Sequence, residues 1–130
     1  MEDTSSTAIL FGGPGSERRV SVATSKHVAQ YVPSASCLFW DTDDSVSEVP
    51  SQDLLDFPDP FLSDFACASP LRTWSSLDAM LETAATERMV LFLGLHGDVS
   101  ENGELQERLE QGGIRFTGSG SVSSRLAFDK

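Results

Sequence analysis

Two short apolar runs, each ending directly in glycine, constrain the fold of this chain more than any other feature. The first run covers residues 8–11 and precedes Gly12 and Gly13, and the second covers residues 89–93 and precedes Gly94. Uninterrupted apolar runs of this length are typical of strands covered on both faces, as in parallel sheets. Because segments of helical periodicity alternate with such strands, the sequence predicts an α/β fold with right-handed crossovers.

The predicted order of elements is β-α-β-loop-α-β-α-β-α. Apolar residues recur at helical spacing from Val20 to Tyr31, and Pro33 ends this first helix. Further strands are predicted over residues 35–40 and 114–117. Residues 41–74 receive no regular structure, although their aromatic residues suggest that they pack against the domain.

Charge is distributed unevenly along the chain. The 130 residues include 20 acids and 9 Lys or Arg, for a net charge of −11, which argues against a nucleic acid or an anionic membrane as partner. Eight of the acids lie in residues 41–70, which contain no Lys or Arg, so the rest of the chain has twelve acids against nine basic residues. We interpret residues 41–70, called the acidic segment below, as a solvated surface loop and expect it to be the most mobile region.

Length and signals favour one cytoplasmic domain. The nearly uninterrupted apolar run over residues 89–95 is too short to cross a bilayer, and residues 1–6 do not begin a secretory signal. Cys37 and Cys67 form neither a metal-type spacing nor a disulfide framework. With only two histidines, far apart in sequence, we predict no metal ligands in this chain.

Three glycine-containing loops follow the first, third and fourth predicted strands, and parallel strands would bring them to one edge of the sheet. The first loop matches neither the dinucleotide fingerprint nor the P-loop. Its Glu17 would compete with a phosphate but would suit an ammonium group; alternatively, Glu17 only opposes the helix dipole. His96, in the second loop, either contacts a polar ligand or bonds a neighbouring backbone group.

The sequence contains three ordered motifs. They are Leu10-Phe11-Gly12-Gly13-x-x-Ser16-Glu17-x-x-Val20-Ser21, Leu95-His96-Gly97-x-x-x-Glu101-Asn102-Gly103-x-Leu105-Gln106, and Gly112-Gly113-Ile114-x-Phe116-x-Gly118-Ser119-Gly120 continuing to Ala127-Phe128-Asp129-Lys130. Together they resemble the amino-terminal part of D-alanine–D-alanine ligases. Two positions depart from the family pattern: Asn102 stands where an acid is usual, and Phe128 stands in place of Met.

The resemblance implies an ATP-dependent carboxylate–amine ligase that makes the D-Ala-D-Ala dipeptide of peptidoglycan through an acyl phosphate. The implied cofactors are ATP and Mg²⁺ (or Mn²⁺), the substrate is D-alanine, and the implied assembly is a homodimer. By motif position, Glu17 is the catalytic residue that receives the ammonium of the first D-alanine, and Val20 and His96 also bind substrate. Glu101 supports the pocket, and Lys130 contacts the ATP phosphates.

The resemblance also implies domain limits. Residues 1–129 are expected to form a Rossmann-like layer that precedes an ATP-grasp region, with an acidic loop at about residues 41–74, and the ATP-grasp region is expected to begin at residue 130. On this reading the chain is an amino-terminal piece and is inactive alone. The alternatives are a non-catalytic Rossmann-like module for amino-acid binding or dimerisation, and a D-alanine–D-lactate-type ligase. A dinucleotide-binding oxidoreductase is less favoured because its glycine spacing differs.

Overall fold

The computed structural model describes residues 6–13, 18–32, 34–67, 69–95 and 104–117. Six strands and four helices lie within these residues. In chain order they are β1 (Ser6–Gly12), α1 (Arg18–Ala29), β2 (Ser36–Trp40), β3 (Val46–Val49), α2 (Ser51–Asp56), β4 (Arg72–Trp74), α3 (Leu77–Thr86), β5 (Met89–Leu93), α4 (Glu104–Gln111) and β6 (Arg115–Phe116). None of these helices is long and apolar enough to span a membrane.

The strands form one mixed sheet in the order β4-β3-β2-β1-β5-β6. Strands β2, β1, β5 and β6 pair in parallel, and β3 pairs antiparallel with both β2 and β4. At the centre, Ile9 of β1 lies opposite Cys37 of β2 on one side and Phe92 of β5 on the other. The predicted α/β class, with the two apolar runs in the interior of a mostly parallel sheet, is confirmed.

Each face of the sheet is covered by its own pair of helices. Alternation along β1 sends Ala8 and Leu10 into a core shared with α3 and α4, and sends Ile9 and Phe11 into a core shared with α1 and α2. All four side chains are at most 1% exposed. Burial on both faces explains why β1 is an apolar run rather than an alternating polar and apolar strand.

The prediction that residues 41–74 lack regular structure was wrong, because β3, α2 and β4 lie within them. A turn over residues 41–45 returns the chain antiparallel to β2, with the backbone N–H of Asp41 donating to the Ser45 carbonyl at 2.8 Å. The Asp43 carboxylate accepts from the N–H and hydroxyl of Ser45 at 2.9 and 2.6 Å. Asp44 has a φ of 78°, which aspartate tolerates better than most residues. These acids form a turn, a role that the charge count does not reveal.

The expected packing of aromatic residues from the acidic segment is confirmed. Phe65 is 5% exposed, and its ring centroid lies 5.4 Å from that of Phe11, 5.1 Å from Phe39 and 5.3 Å from Phe57. Phe61 of the same segment is 58% exposed. One aromatic side chain therefore anchors the segment to the core beneath α1 and α2.

The buried face of α1 differs from the face that apolar spacing suggested. Tyr31 is 73% exposed, and Val20 is only half-buried. The residues that α1 buries are Ser21, Val22, Ser25 and Ala29. Ser21 and Ser25 lie against glycine backbone at the carboxyl edge of the sheet, and Val22 and Ala29 pack in the apolar core.

Candidate functional site

The carboxyl ends of β2, β1, β5 and β6 lie at one edge of the sheet because these strands are parallel. Gly13, Leu95 and Thr117 are the last described residues after β1, β5 and β6. The three glycine-containing loops of the sequence continue directly from these positions. Ligands of open α/β sheets bind at this edge, so we take it as the candidate site.

Ser21 joins the ends of the two central strands. The backbone N–H of Gly12 donates to the Ser21 hydroxyl oxygen at 2.8 Å, and the same hydroxyl donates to the carbonyl of Gly94. Ser21 is completely buried. The end of β1, the first turn of α1 and the residue after β5 are therefore held by one side chain.

Gly12 and Gly13 turn the chain out of β1 with φ angles of 94° and 89°. Both values lie in the region that glycine adopts without steric cost. A Cβ at Gly12 would stand 2.7 Å from the Phe39 ring and from the Trp40 carbonyl oxygen, and the N–H of Gly13 donates to that same oxygen at 2.7 Å. Position 12 therefore requires glycine, both because its φ is positive and because a Cβ would clash with Phe39 and Trp40.

Gly94 is equally constrained at the end of β5. Its N–H donates to the Leu10 carbonyl at 3.0 Å, and a Cβ at this position would stand 2.1 Å from the Ser25 hydroxyl oxygen. The Ser25 hydroxyl is buried and has no hydrogen-bond partner within the part of the chain that the structure describes. Ser25 thus fills space against Gly94, whereas Ser21 bonds to it.

Two arginines at the start of α1 converge on one carboxylate of the acidic segment. Arg18 and Arg19 each donate to Asp64 at 2.9 Å, and Arg19 also donates to the Phe61 carbonyl at 3.0 Å. The hydrogen bond from Arg19, followed by that from Arg18, holds the pKa of Asp64 below its ordinary value. These contacts tie the acidic segment to the helix turn that follows Glu17.

Of the site residues predicted from the sequence, the structure describes only Val20, which lies half-buried in the first turn of α1. The other nominated residues fall outside the described residues; they are Glu17, His96, Glu101 and Lys130. By chain position, Glu17 directly precedes Arg18, and His96 directly follows Leu95. Both therefore belong to segments that leave the sheet from neighbouring parallel strands.

The described residues supply no site for the metal that the resemblance implies. Among them, no cluster of three or more His, Cys, Asp or Glu side chains could hold a metal ion. Both cysteines are free, and burial raises the pKa of the Cys37 thiol to about 11, which leaves it neutral. We assign no step of ATP or Mg²⁺ chemistry to this part of the chain.

An open α/β sheet flanked by helices on both faces, with glycine turns at the carboxyl edge of its central strands, defines the Rossmann-like class of ligand-binding domains. Within this class, the family described as D-ala D-ala ligase N-terminus matches residues 6–119. The chain belongs to that family.

Curated relatives support the assignment. A D-alanine–D-alanine ligase from Chlorobaculum tepidum is 32% identical over 139 residues, covering 95% of this chain and 37% of the relative. A D-alanine–D-alanine ligase from Leptospira biflexa is 32% identical over 136 residues, with the same two coverages. The chain thus spans little more than a third of the length of these relatives.

Solved structures show the same fold. The D-Alanine-D-Alanine Ligase from Helicobacter pylori has a TM-score of 0.66 at 18% identity, covering 95% of this chain and 40% of that one. The VanG D-Ala:D-Ser Ligase from Enterococcus faecalis has a TM-score of 0.65 at 20% identity, covering 98% and 39%. At these identities the likeness concerns the fold alone.

Proposed function

We propose that the protein containing this chain is an ATP-dependent D-alanine–D-alanine ligase, and that this chain supplies part of the pocket for the first D-alanine. One observation carries the proposal: the two loops that hold Glu17 and His96 leave adjacent parallel strands, and Ser21 bonds the ends of both strands. Because these strands are parallel neighbours, both loops leave the sheet at the same carboxyl edge. An amino acid bound there could be reached by a carboxylate from one loop and an imidazole from the other.

The charges around α1 support an ammonium ligand for Glu17. The two cations nearest to it along the chain, Arg18 and Arg19, are paired with Asp64. Their charge is therefore partly neutralised by the acidic segment, and we infer that they compete less with a cationic ligand for the Glu17 carboxylate. A fixed carboxylate that meets the ammonium of D-alanine orients the zwitterion before reaction.

Val20, His96 and Glu101 complete the proposed substrate side of the pocket. Val20 lies in the first turn of α1, two residues after Arg18, and is half-buried, as expected of an apolar residue at the border of a site. We assign His96 to placing the first D-alanine and Glu101 to supporting the pocket. From family membership we also infer that the complete protein uses ATP and Mg²⁺ (or Mn²⁺). Lys130 is proposed to contact the ATP phosphates on the same basis.

Family membership is also the basis for our inferences about the second substrate, the cellular location and the oligomeric state. The D-alanine–D-lactate alternative is not favoured, since the curated relatives are named D-alanine–D-alanine ligases. We also infer a cytoplasmic homodimer for the complete protein. Sedimentation of the complete protein, at concentrations used for assay, should give twice the mass of one chain.

The test is product analysis with the complete protein. Incubation with ATP, Mg²⁺ and D-alanine should release phosphate and form D-Ala-D-Ala in equal amounts. Parallel reactions that also contain D-lactate or D-serine should still give mainly D-Ala-D-Ala at neutral pH. Phosphate release without dipeptide, or a preference for D-lactate, would refute the proposed specificity.

A further inference from the structure

The hydroxyl of Ser21 is placed unusually for a residue on the buried face of an amphipathic helix. It is completely buried and accepts from Gly12 while donating to Gly94, two residues that are 82 positions apart in the sequence. Polar groups on such a face are rare unless they bond to something specific. Here the partners are backbone groups at the ends of two neighbouring strands.

We propose that Ser21 is a positioning residue that fixes Gly12, at the end of β1, relative to Gly94, after β5, the two points from which the glycine-containing loops continue. The inference rests on the proposed function, since these loops carry Glu17 and His96. Gly12 lies five positions before Glu17, and Gly94 lies two positions before His96. A shift of either strand end would therefore change the distance between a carboxylate and an imidazole that share one substrate.

Strand pairing alone does not fix the position of Gly12 relative to Gly94 at the carboxyl edge of the sheet. The register between β1 and β5 ends with Leu10 opposite Leu93, so Gly12 has no partner residue on β5. The Gly94 N–H returns to the Leu10 carbonyl at 3.0 Å, and beyond it Ser21 makes the next link between the two segments. The serine thus extends the connection where the ladder stops.

Ser25 provides a matched control on the same helix. It is also completely buried, lies one turn after Ser21 and packs against Gly94, but its hydroxyl has no partner in the described part of the chain. Ser21→Ala leaves a buried N–H and a buried carbonyl unpaired, whereas Ser25→Ala removes an unpaired hydroxyl. The two variants delete the same atom from similar surroundings with opposite consequences for hydrogen bonding.

The first measurement is amide hydrogen exchange in the complete protein, followed by peptides that cover residues 8–20 and 90–103. Ser21→Ala should speed exchange in both peptides together, because one hydroxyl serves both strand ends. Ser25→Ala should change neither. Faster exchange in only one peptide, or equal effects of the two variants, would overturn the proposal.

The second measurement separates positioning from stability. Ser21→Ala should raise the KM for the first D-alanine about tenfold, as expected of a misplaced binding group, while the KM for ATP stays within about twofold. A variant that is merely unstable loses active enzyme, which lowers kcat and leaves both KM values unchanged. An unchanged KM for the first D-alanine would refute the positioning role.

Ser21→Cys keeps the shape and offers only weak hydrogen bonds, so its KM should lie between those of the wild type and Ser21→Ala. If Ser21→Ala does not fold, this variant decides the question: a raised KM supports the proposal and a wild-type KM overturns it. If the wild-type protein makes no dipeptide, the proposed function fails. Hydrogen exchange alone then decides whether Ser21 couples the two loops.

Discussion

Ser21 and Asp64 both hold the first turn of α1, one through backbone groups and the other through guanidinium groups. Ser21 bonds to Gly12 and Gly94 inside the protein, and Asp64 binds Arg18 and Arg19 at the surface. Along the chain, Glu17 lies between the glycine turn at Gly12 and Gly13 and the start of α1 at Arg18. These contacts therefore fix the elements that precede and follow the residue whose carboxylate is proposed to meet substrate.

Glu17→Gln tests that carboxylate directly. The change keeps the shape of the side chain and removes the charge that meets the ammonium of D-alanine. In the complete protein we expect a raised KM for the first D-alanine and a loss of about 2–3 kcal/mol in kcat/KM, as for a charge-assisted hydrogen bond.

Glu82→Gln, an exposed glutamate on α3, is the matched control and should leave both constants unchanged. An unchanged KM in Glu17→Gln would assign Glu17 to opposing the dipole of α1 and nothing more.

Asp64→Asn tests the tie between the acidic segment and α1. The pKa of Asp64 is lowered in the folded protein, so the ion pairs stabilise the fold at neutral pH and lose that effect as the pH falls below about 4. The melting temperature of the variant should lie slightly below that of the wild type at pH 7, and the difference should shrink on acidification.

Asp56→Asn is the control, because the Asp56 carboxylate accepts from the neutral amide of Gln52. A difference for Asp64→Asn that stays constant from neutral to acidic pH would contradict the ion-pair account.

At the scale of elements, the acidic segment is held to the domain by a few specific contacts. Phe65 packs among the rings beneath α1, and Lys26 donates to the Phe57 carbonyl. On the far side of the sheet, Arg72 of β4 binds Glu48 of β3 at 2.6 Å and both carboxylate oxygens of Glu87 at 2.8 Å. The segment is therefore attached at both ends although its charge is high.

Phe65→Ala should destabilise the domain by about 3–5 kcal/mol, because it empties a buried site among three aromatic rings. Phe61→Ala removes the same side chain from an exposed position four residues earlier and should stay within about 0.5 kcal/mol. Denaturant unfolding of both variants measures the two free energies. Equal effects would show that Phe65 does not anchor the segment.

Amide exchange ranks the elements themselves. We expect faster exchange in the acidic segment than in β5, since β5 is paired on both sides within the sheet. Inside the segment, β3 should exchange more slowly than residues 57–67, which contain no helix or strand. Slower exchange over residues 57–67 than in β5 would contradict this ranking.

The elements that could be predicted from the sequence are those whose pattern of apolar residues is explained by one kind of structure only. Residues 8–11 are apolar without interruption because both of their faces are buried, and residues 89–93 have one buried face, with Met89 and Leu91, and one half-buried face. Strands β3 and β4 are short and mix polar residues with valine and tryptophan. They also follow segments rich in aspartate or proline, so no apolar periodicity indicates a strand there. Ser21 was missed as a contact because amphipathic spacing assigns serine to the exposed face, although the family motif contains it.

At the scale of the whole molecule, we propose that the described sheet forms one side of a substrate pocket. The family match spans residues 6–119, while the chain covers 37% of the Chlorobaculum tepidum ligase. An ammonium held by a single carboxylate in open water gains little, about 0–1 kcal/mol, so tight binding needs further walls. We therefore propose that this chain orients substrate and that the complete protein joins two D-alanines.

The most direct test compares the 130-residue chain with the complete protein in one assay for phosphate and D-Ala-D-Ala, with ATP, Mg²⁺ and D-alanine supplied to both. Circular dichroism first establishes that the 130-residue chain is folded under the assay conditions. We expect dipeptide from the complete protein and none above background from the chain alone. Turnover by the 130-residue chain, or no dipeptide from the complete protein, would contradict the account.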